Sequence, residues 1–169
     1  MITINQLYNA MKQIAPLELA EHWDNPGLLV DCGGEVRRVL VALDITPEVV
    51  AEAAEKHCEA IVSHHPVIFS PLKKLSPQDV PFQLVQAGIS AVCMHTNLDA
   101  AEGGVNEVLA HIFHMRKMET FANGCGRVGE IDWNSVKGLA YQVQKELSAR
   151  CNPPEEGPAV QIKLVDNGG

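Results

Sequence analysis

The sequence predicts an α/β fold, a mostly parallel sheet with helices packed on it. Three observations carry this reading. Apolar runs of strand length stand at 39–43, 60–63 and 90–94, and segments with helical apolar spacing lie between them. The repeating order strand, helix, strand demands right-handed crossovers, and sheets of this kind collect ligands at the carboxyl ends of their strands.

The elements follow in chain order. Thr3 caps a helix carrying Leu7, Met11 and Ile14 at helical spacing, and the turn Trp23-Asp24-Asn25-Pro26-Gly27 opens a short strand at Leu28-Leu29-Val30. A second turn, Cys32-Gly33-Gly34, follows, and Val39 to Leu43 is the next strand. Thr46-Pro47 supplies an N-cap with proline at the first helical position, for a helix running to about His57. Its apolar stripe is Val49, Val50, Ala53 and Ala54, which leaves Glu48, Glu52 and Glu55 on the solvated side. Ala60 to Ser63 is a strand, Phe82 to Ala87 a helix, and Ser90 to Met94 a further strand. Gly103 to Phe113 and the stripe Val136, Leu139, Ala140, Val143, Leu147 predict two more helices. Pro153 to Gly157 reads as a loop, and Ala159 to Val165 alternates as a strand does.

Composition bounds the function classes. A chain of 169 residues makes one domain, residues 1–169, with a core large enough to need no metal staple, so a metal site here is functional. With 46% hydrophobic and 20% charged residues the chain is neither disordered nor a coiled coil. Its formal charge of -8 repels a phosphodiester backbone and an anionic membrane surface, so no non-specific nucleic acid binding and no membrane attachment are expected. The first ten residues lack the basic and apolar regions of an export signal, and no run approaches the ~20 apolar residues of a membrane span. Five cysteines without a C-x-x-C pair read as reduced, mostly buried thiols of a cytoplasmic protein.

Three strands end in chemistry-bearing residues: Asp44 after the first, His64-His65 after the second, His95 with Asp99 after the third. Parallel packing brings them to one edge, where two histidines and one or two carboxylates form a divalent-metal constellation. Adjacent residues at a strand end project oppositely, which favours His64 and His65 each serving one of two ions with Asp99 bridging. The bland alternative is a hydrogen-bonded core or surface histidine. Asp44 reads as an Asx-type residue opening the Thr46-Pro47 helix, and His111 and His114 as ordinary helix residues. Gly124 to Gly129 matches G-x-G-x-x-G literally, but it neither follows a good first strand nor opens a helix, so it reads as a glycine-rich turn.

Three segments together resemble one family. They are Trp23 to Val30; Ser63-His64-His65-Pro66-Val67-Ile68-Phe69 with Pro71-Leu72-Lys73-Lys74-Leu75; and His95-Thr96-Asn97-Leu98-Asp99 continuing to Asn106. The family is the Nif-three-like one, whose bacterial members are called GTP cyclohydrolase 1 type 2 homologs. The resemblance runs from near residue 1 to about residue 150. It implies a pair of divalent metal ions (Zn, Fe or Mn), cytoplasmic location and a ring-shaped homo-oligomer, commonly a homohexamer. It also implies His64, His65 and Asp99 as metal ligands, His95 as a histidine beside the metals, and Lys73 or Lys74 near the site. The family's remaining ligands, a histidine and a glutamate four residues later in a glycine-containing motif, have no match here, so the chain reads as the N-terminal part of a longer family architecture.

The enzyme reading implied by the resemblance is metal-dependent hydrolysis of a small-molecule substrate, a guanine nucleotide opened at C8, with His95 as the catalytic proton-transfer group. The alternative is a non-catalytic metal-stabilised ring scaffold or protein-interaction module. A mononuclear Fe(II) oxygenase would need His64 and His65 to converge on one ion.

Overall fold

The apolar runs pair into a sheet in the computed structural model, which describes residues 1–151. The elements are β1 (Ile2–Thr3), α1 (Ile4–Ile14), β2 (Gly27–Val30), β3 (Glu35–Val36), β4 (Val39–Ala42), α2 (Pro47–Glu55), β5 (Ala60–Ser63), α3 (Val80–Ala87), β6 (Ser90–Cys93), α4 (Thr96–Ala100), α5 (Val105–Ile112), β7 (Arg116–Phe121), β8 (Gly126–Glu130) and α6 (Val136–Cys151). The loop expected at 153–157 and the strand expected at 159–165 lie outside the described residues.

The main sheet has the order β2-β6-β5-β4. Parallel register pairs Val39 with Ala60 and Ala42 with Ser63 on one side of β5, and Ala60 with Ser90 and Ser63 with Cys93 on the other. β2 departs from this order: it lies antiparallel on β6, Gly27 opposite Cys93. Hence the residues just before β2 reach the same edge as the residues just after β4, β5 and β6.

β5 and β6 are buried at all four positions, as continuous apolar runs in mid-sheet require. Their side chains alternate between two cores. Ile61 and Ala91 join Val50 and Ala53 of α2 and Leu84 of α3 on one face, while Ala60, Val62 and Val92 meet Ile4 of α1 and Ala101 on the other. The result is three layers, helix on sheet on helix, with no described helix long and apolar enough to cross a membrane. On α2, Ala54 is exposed, so the buried stripe is narrower than the spacing suggests.

Local chemistry fixes the helix starts. Thr3 caps α1 through Gln6 N–H while the Gln6 side chain reaches back to Thr3 N–H, a reciprocal capping box. Thr46 Oγ1 accepts from Val49 N–H and Pro47 follows it, as expected. Gly88 ends α3 at φ 68°, a conformation open to glycine at little steric cost. Two features escape sequence patterning. β1 and β3 form a two-residue antiparallel pair, and β7 with β8 forms an antiparallel hairpin whose first strand is mostly exposed and polar. The glycine pattern at 124–129 sits in this hairpin's turn and second strand and opens no helix, so it makes no dinucleotide loop.

Glu59, just before β5, ties the sheet's far end. Its Oε2 accepts from Arg37 N–H and Arg38 N–H at 3.0 and 2.9 Å. The Arg38 and Arg37 backbone donors hold its carboxyl below the usual glutamate range. A depressed folded pKa contributes stability above the unfolded value that is lost as pH falls through the folded one. Melting temperature is therefore expected to drop as pH is lowered below about 4.5, and Glu59→Gln to flatten part of that drop; an unchanged pH profile in the variant would contradict the assignment.

Candidate metal centre

Four segments converge on the carboxyl edge of the sheet. The chain after β5 stays tied to its neighbours: His64 N–H and His65 N–H donate to the carbonyls of Ala42 and Leu43, Ser63 Oγ donates to His65 O, and Cys93 Sγ to His64 O at 3.0 Å. Burial, with the negative charge of Asp24 adding to it, pushes the Cys93 thiol up to about 12, so it remains a protonated donor. His95 directly follows Met94 and precedes α4, and the first turn of that helix brings Asp99 back over the edge.

Three imidazoles meet here. Ring centroids lie 5.2 Å apart for His64 and His65, 5.2 Å for His64 and His95, and 5.6 Å for His65 and His95. One nitrogen from each falls within 4.8 Å of the others. This corrects the expectation that the adjacent pair projects oppositely: both residues lie past the last paired residue of β5, where the chain bends toward Pro66, and the strand alternation no longer applies.

Each imidazole has its own carboxylate. His64 Nε2 contacts Asp99 Oδ1 at 2.9 Å, His65 Nδ1 contacts Asp44 Oδ1 at 2.7 Å, and His95 Nδ1 contacts Asp24 Oδ1 at 2.8 Å. Asp44 is thus a partner of His65 and not the residue that opens α2; Thr46 has that role. Asp24, in the turn before β2, was not singled out by sequence reasoning, because a turn aspartate carries no strand-end signal. Its side chain has no exposed surface. Burial would raise its pKa, but hydrogen bonds from Thr96 Oγ1, His95, Asn25 N–H and Thr96 N–H outweigh that and hold it below the usual carboxylate value.

The donor set suits a divalent cation of the zinc, iron or manganese type, which takes neutral imidazole and carboxylate oxygen. His64 Nδ1 supports the fit: it is buried and has no hydrogen-bond partner among the described residues, a condition that costs about 1–3 kcal/mol unless a ligand satisfies the atom. Carboxylates behind histidines also orient rings and fix tautomers at metal sites. Lys73 and Lys74 lie in an exposed loop, and His111 and His114 lie outside this cluster.

Comparison with known proteins places these features in context. A family model described as Duf34/NIF3 (NGG1p interacting factor 3) matches residues 2–161. A Staphylococcus aureus protein named GTP cyclohydrolase 1 type 2 homolog is 40% identical over 169 residues, covering 98% of this chain and 42% of that protein. Its namesake from Clostridium acetobutylicum is 31% identical over 160 residues, 86% of this chain and 60% of that protein. Reduced HcgD from Methanocaldococcus jannaschii superposes with a TM-score of 0.77 at 25% identity, covering 86% of this chain and 61% of that one. The chain thus spans about half the length of the curated relatives it matches.

Proposed function

Since the chain belongs to the Duf34/NIF3 family, we propose that its histidine edge is the divalent-metal centre of a hydrolase for small electrophilic substrates. One observation carries this reading: one nitrogen from each of three imidazoles lies within 4.8 Å of the others, and each ring is backed by a separate carboxylate. His64, His65 and Asp99 hold the metal, and Asp44 orients His65. When bound, such a cation supplies Lewis acidity and an activated water. Asp24, an acceptor only, fixes the proton of His95 on Nδ1 and leaves Nε2 to take up or deliver a proton at the reacting substrate. The chain's relatedness to proteins named GTP cyclohydrolase homologs supports a guanine nucleotide as the substrate, and the family resemblance supports two ions, a cytoplasmic location and a homohexameric ring.

The test uses the longest native form of the protein, loaded with Zn, Mn or Fe. His95→Ala is expected to retain the cation, by elemental analysis, while hydrolysis of GTP slows about 100-fold or more. Loss of the cation in this variant would make His95 a third ligand, and absence of any metal-dependent hydrolysis in the parent protein would remove the enzyme reading. A specific observation favours the scaffold alternative in that event. β4 is an edge strand without lysine or proline, and Val41 is 77% exposed beside an exposed Leu43. The solution mass by light scattering, measured on the same samples, tests the oligomer.

A further inference from the structure

Two of the chain's few large aromatic side chains stand beside the histidine edge with about half of their surface in solvent: Trp23 is 52% and Phe69 51% exposed. They touch each other, ring centroids 6.1 Å apart and tilted by 46°, and Trp23 in turn meets His95 edge to face at 6.4 Å. An unbroken run of rings therefore leads from the imidazole cluster to Phe69.

The exposure does not come from loose loops. Trp23 is followed by Asp24, whose buried carboxylate is locked by Thr96 and His95, and by Asn25, whose Nδ2 donates to Ile68 O at 2.7 Å. Phe69 is preceded by Val67 and Ile68, which pack on the core beneath α2 and α3. Both backbones are pinned, and to each other, while the apolar rings they carry are left in water. Rings fixed in this way lose little conformational entropy when a ligand arrives.

We infer that Trp23 and Phe69 form a stacking platform for a planar nitrogen heterocycle, which makes the neighbouring histidine centre selective for base-bearing ligands. The inference rests on the hydrolase reading only for the chemistry that follows binding. A base sandwiched between two rings needs about twice the 3.5–4.0 Å contact distance, roughly 7 Å between parallel faces. At 6.1 Å and 46° the two rings do not admit one. The heterocycle instead lies on one face of Trp23 and meets Phe69 at its edge, an arrangement that the aromatic quadrupole favours. Such a contact is tolerant of which base is bound and discriminates against ligands that have none.

The protein's other tryptophan, Trp133, is removed as Trp133→Phe so that fluorescence reports Trp23 alone. Guanosine 5′-monophosphate and ribose 5-phosphate are titrated into this form and into its His64→Ala counterpart. Quenching by the nucleotide, none by the sugar phosphate, and an affinity about tenfold lower in Phe69→Ala are expected. A separate Trp23→Ala variant, with Trp23→Leu as a bulkier control, is expected to raise KM for a base-bearing substrate about tenfold with little change in kcat. Quenching that persists when no hydrolysis is detected supports the platform and counts against the hydrolase. Hydrolysis whose KM is indifferent to both residues overturns the platform and leaves the hydrolase standing. A change of oligomer mass in Phe69→Ala with nucleotide affinity unaltered also overturns it, by making the rings a subunit contact.

Discussion

His64→Ala is expected to lower affinity for Zn or Mn by at least ~100-fold, because it deletes a donor at the centre of the imidazole cluster and leaves Asp99 without its partner; changes to groups merely behind the ligands already cost ~10–100-fold. The protein should remain folded. The lost ring is part-buried at the sheet edge and outside both apolar cores, and its Nδ1 has no partner to forfeit. Isothermal titration with either metal, alongside circular dichroism, measures both halves. Undiminished affinity in a folded variant would show that the cluster is a hydrogen-bonded histidine patch and nothing more.

Asp24→Ala is expected to destabilise the chain by about 3–5 kcal/mol, because it removes a buried acceptor whose donors are left unsatisfied at about 1–3 kcal/mol each. Four donors lose their acceptor at once: Asn25 N–H, Thr96 N–H, Thr96 Oγ1 and His95 Nδ1. At roughly 2–4 °C per kcal/mol for a domain of this size, the melting temperature should fall by about 10 °C. Asp24→Asn gives a smaller loss, since one oxygen still accepts while the amide turns donors toward donors. A shift below a degree or two in Asp24→Ala would mean that water replaces the carboxylate. Because Asp24 also anchors Trp23 and orients His95, this variant should lose the Trp23 response to nucleotide along with its stability.

The difference between these two residues shows what was legible. His64 stands at the end of an apolar run, and alternation of strands with helices is enough to assign that end to the ligand-binding edge. Asp99 follows from the same logic, one helical turn beyond His95. Asp44 was visible at the same edge but has two uses, and local pattern favours the helix start; only its 2.7 Å contact with His65 decides between them. The β7–β8 hairpin left little trace, because a strand exposed on most positions need not alternate in polarity.

By itself the sequence determined the layered α/β arrangement, the parallel trio β4, β5 and β6, the capped starts of α1 and α2, and the identity of the edge that carries His64, His65, His95 and Asp99. Those features follow from periodicities and cap chemistry that act within a few residues. Tertiary structure alone decided the direction of β2. Run antiparallel against β6, it delivers the residues before it to the carboxyl edge, and so puts Asp24 behind His95 and Trp23 beside it. A four-residue apolar strand packs equally well in either direction as far as its own side chains are concerned. The choice is made by what the ends must reach, in this case a buried carboxylate that needs four donors, three of which come from segments more than one residue away in the chain.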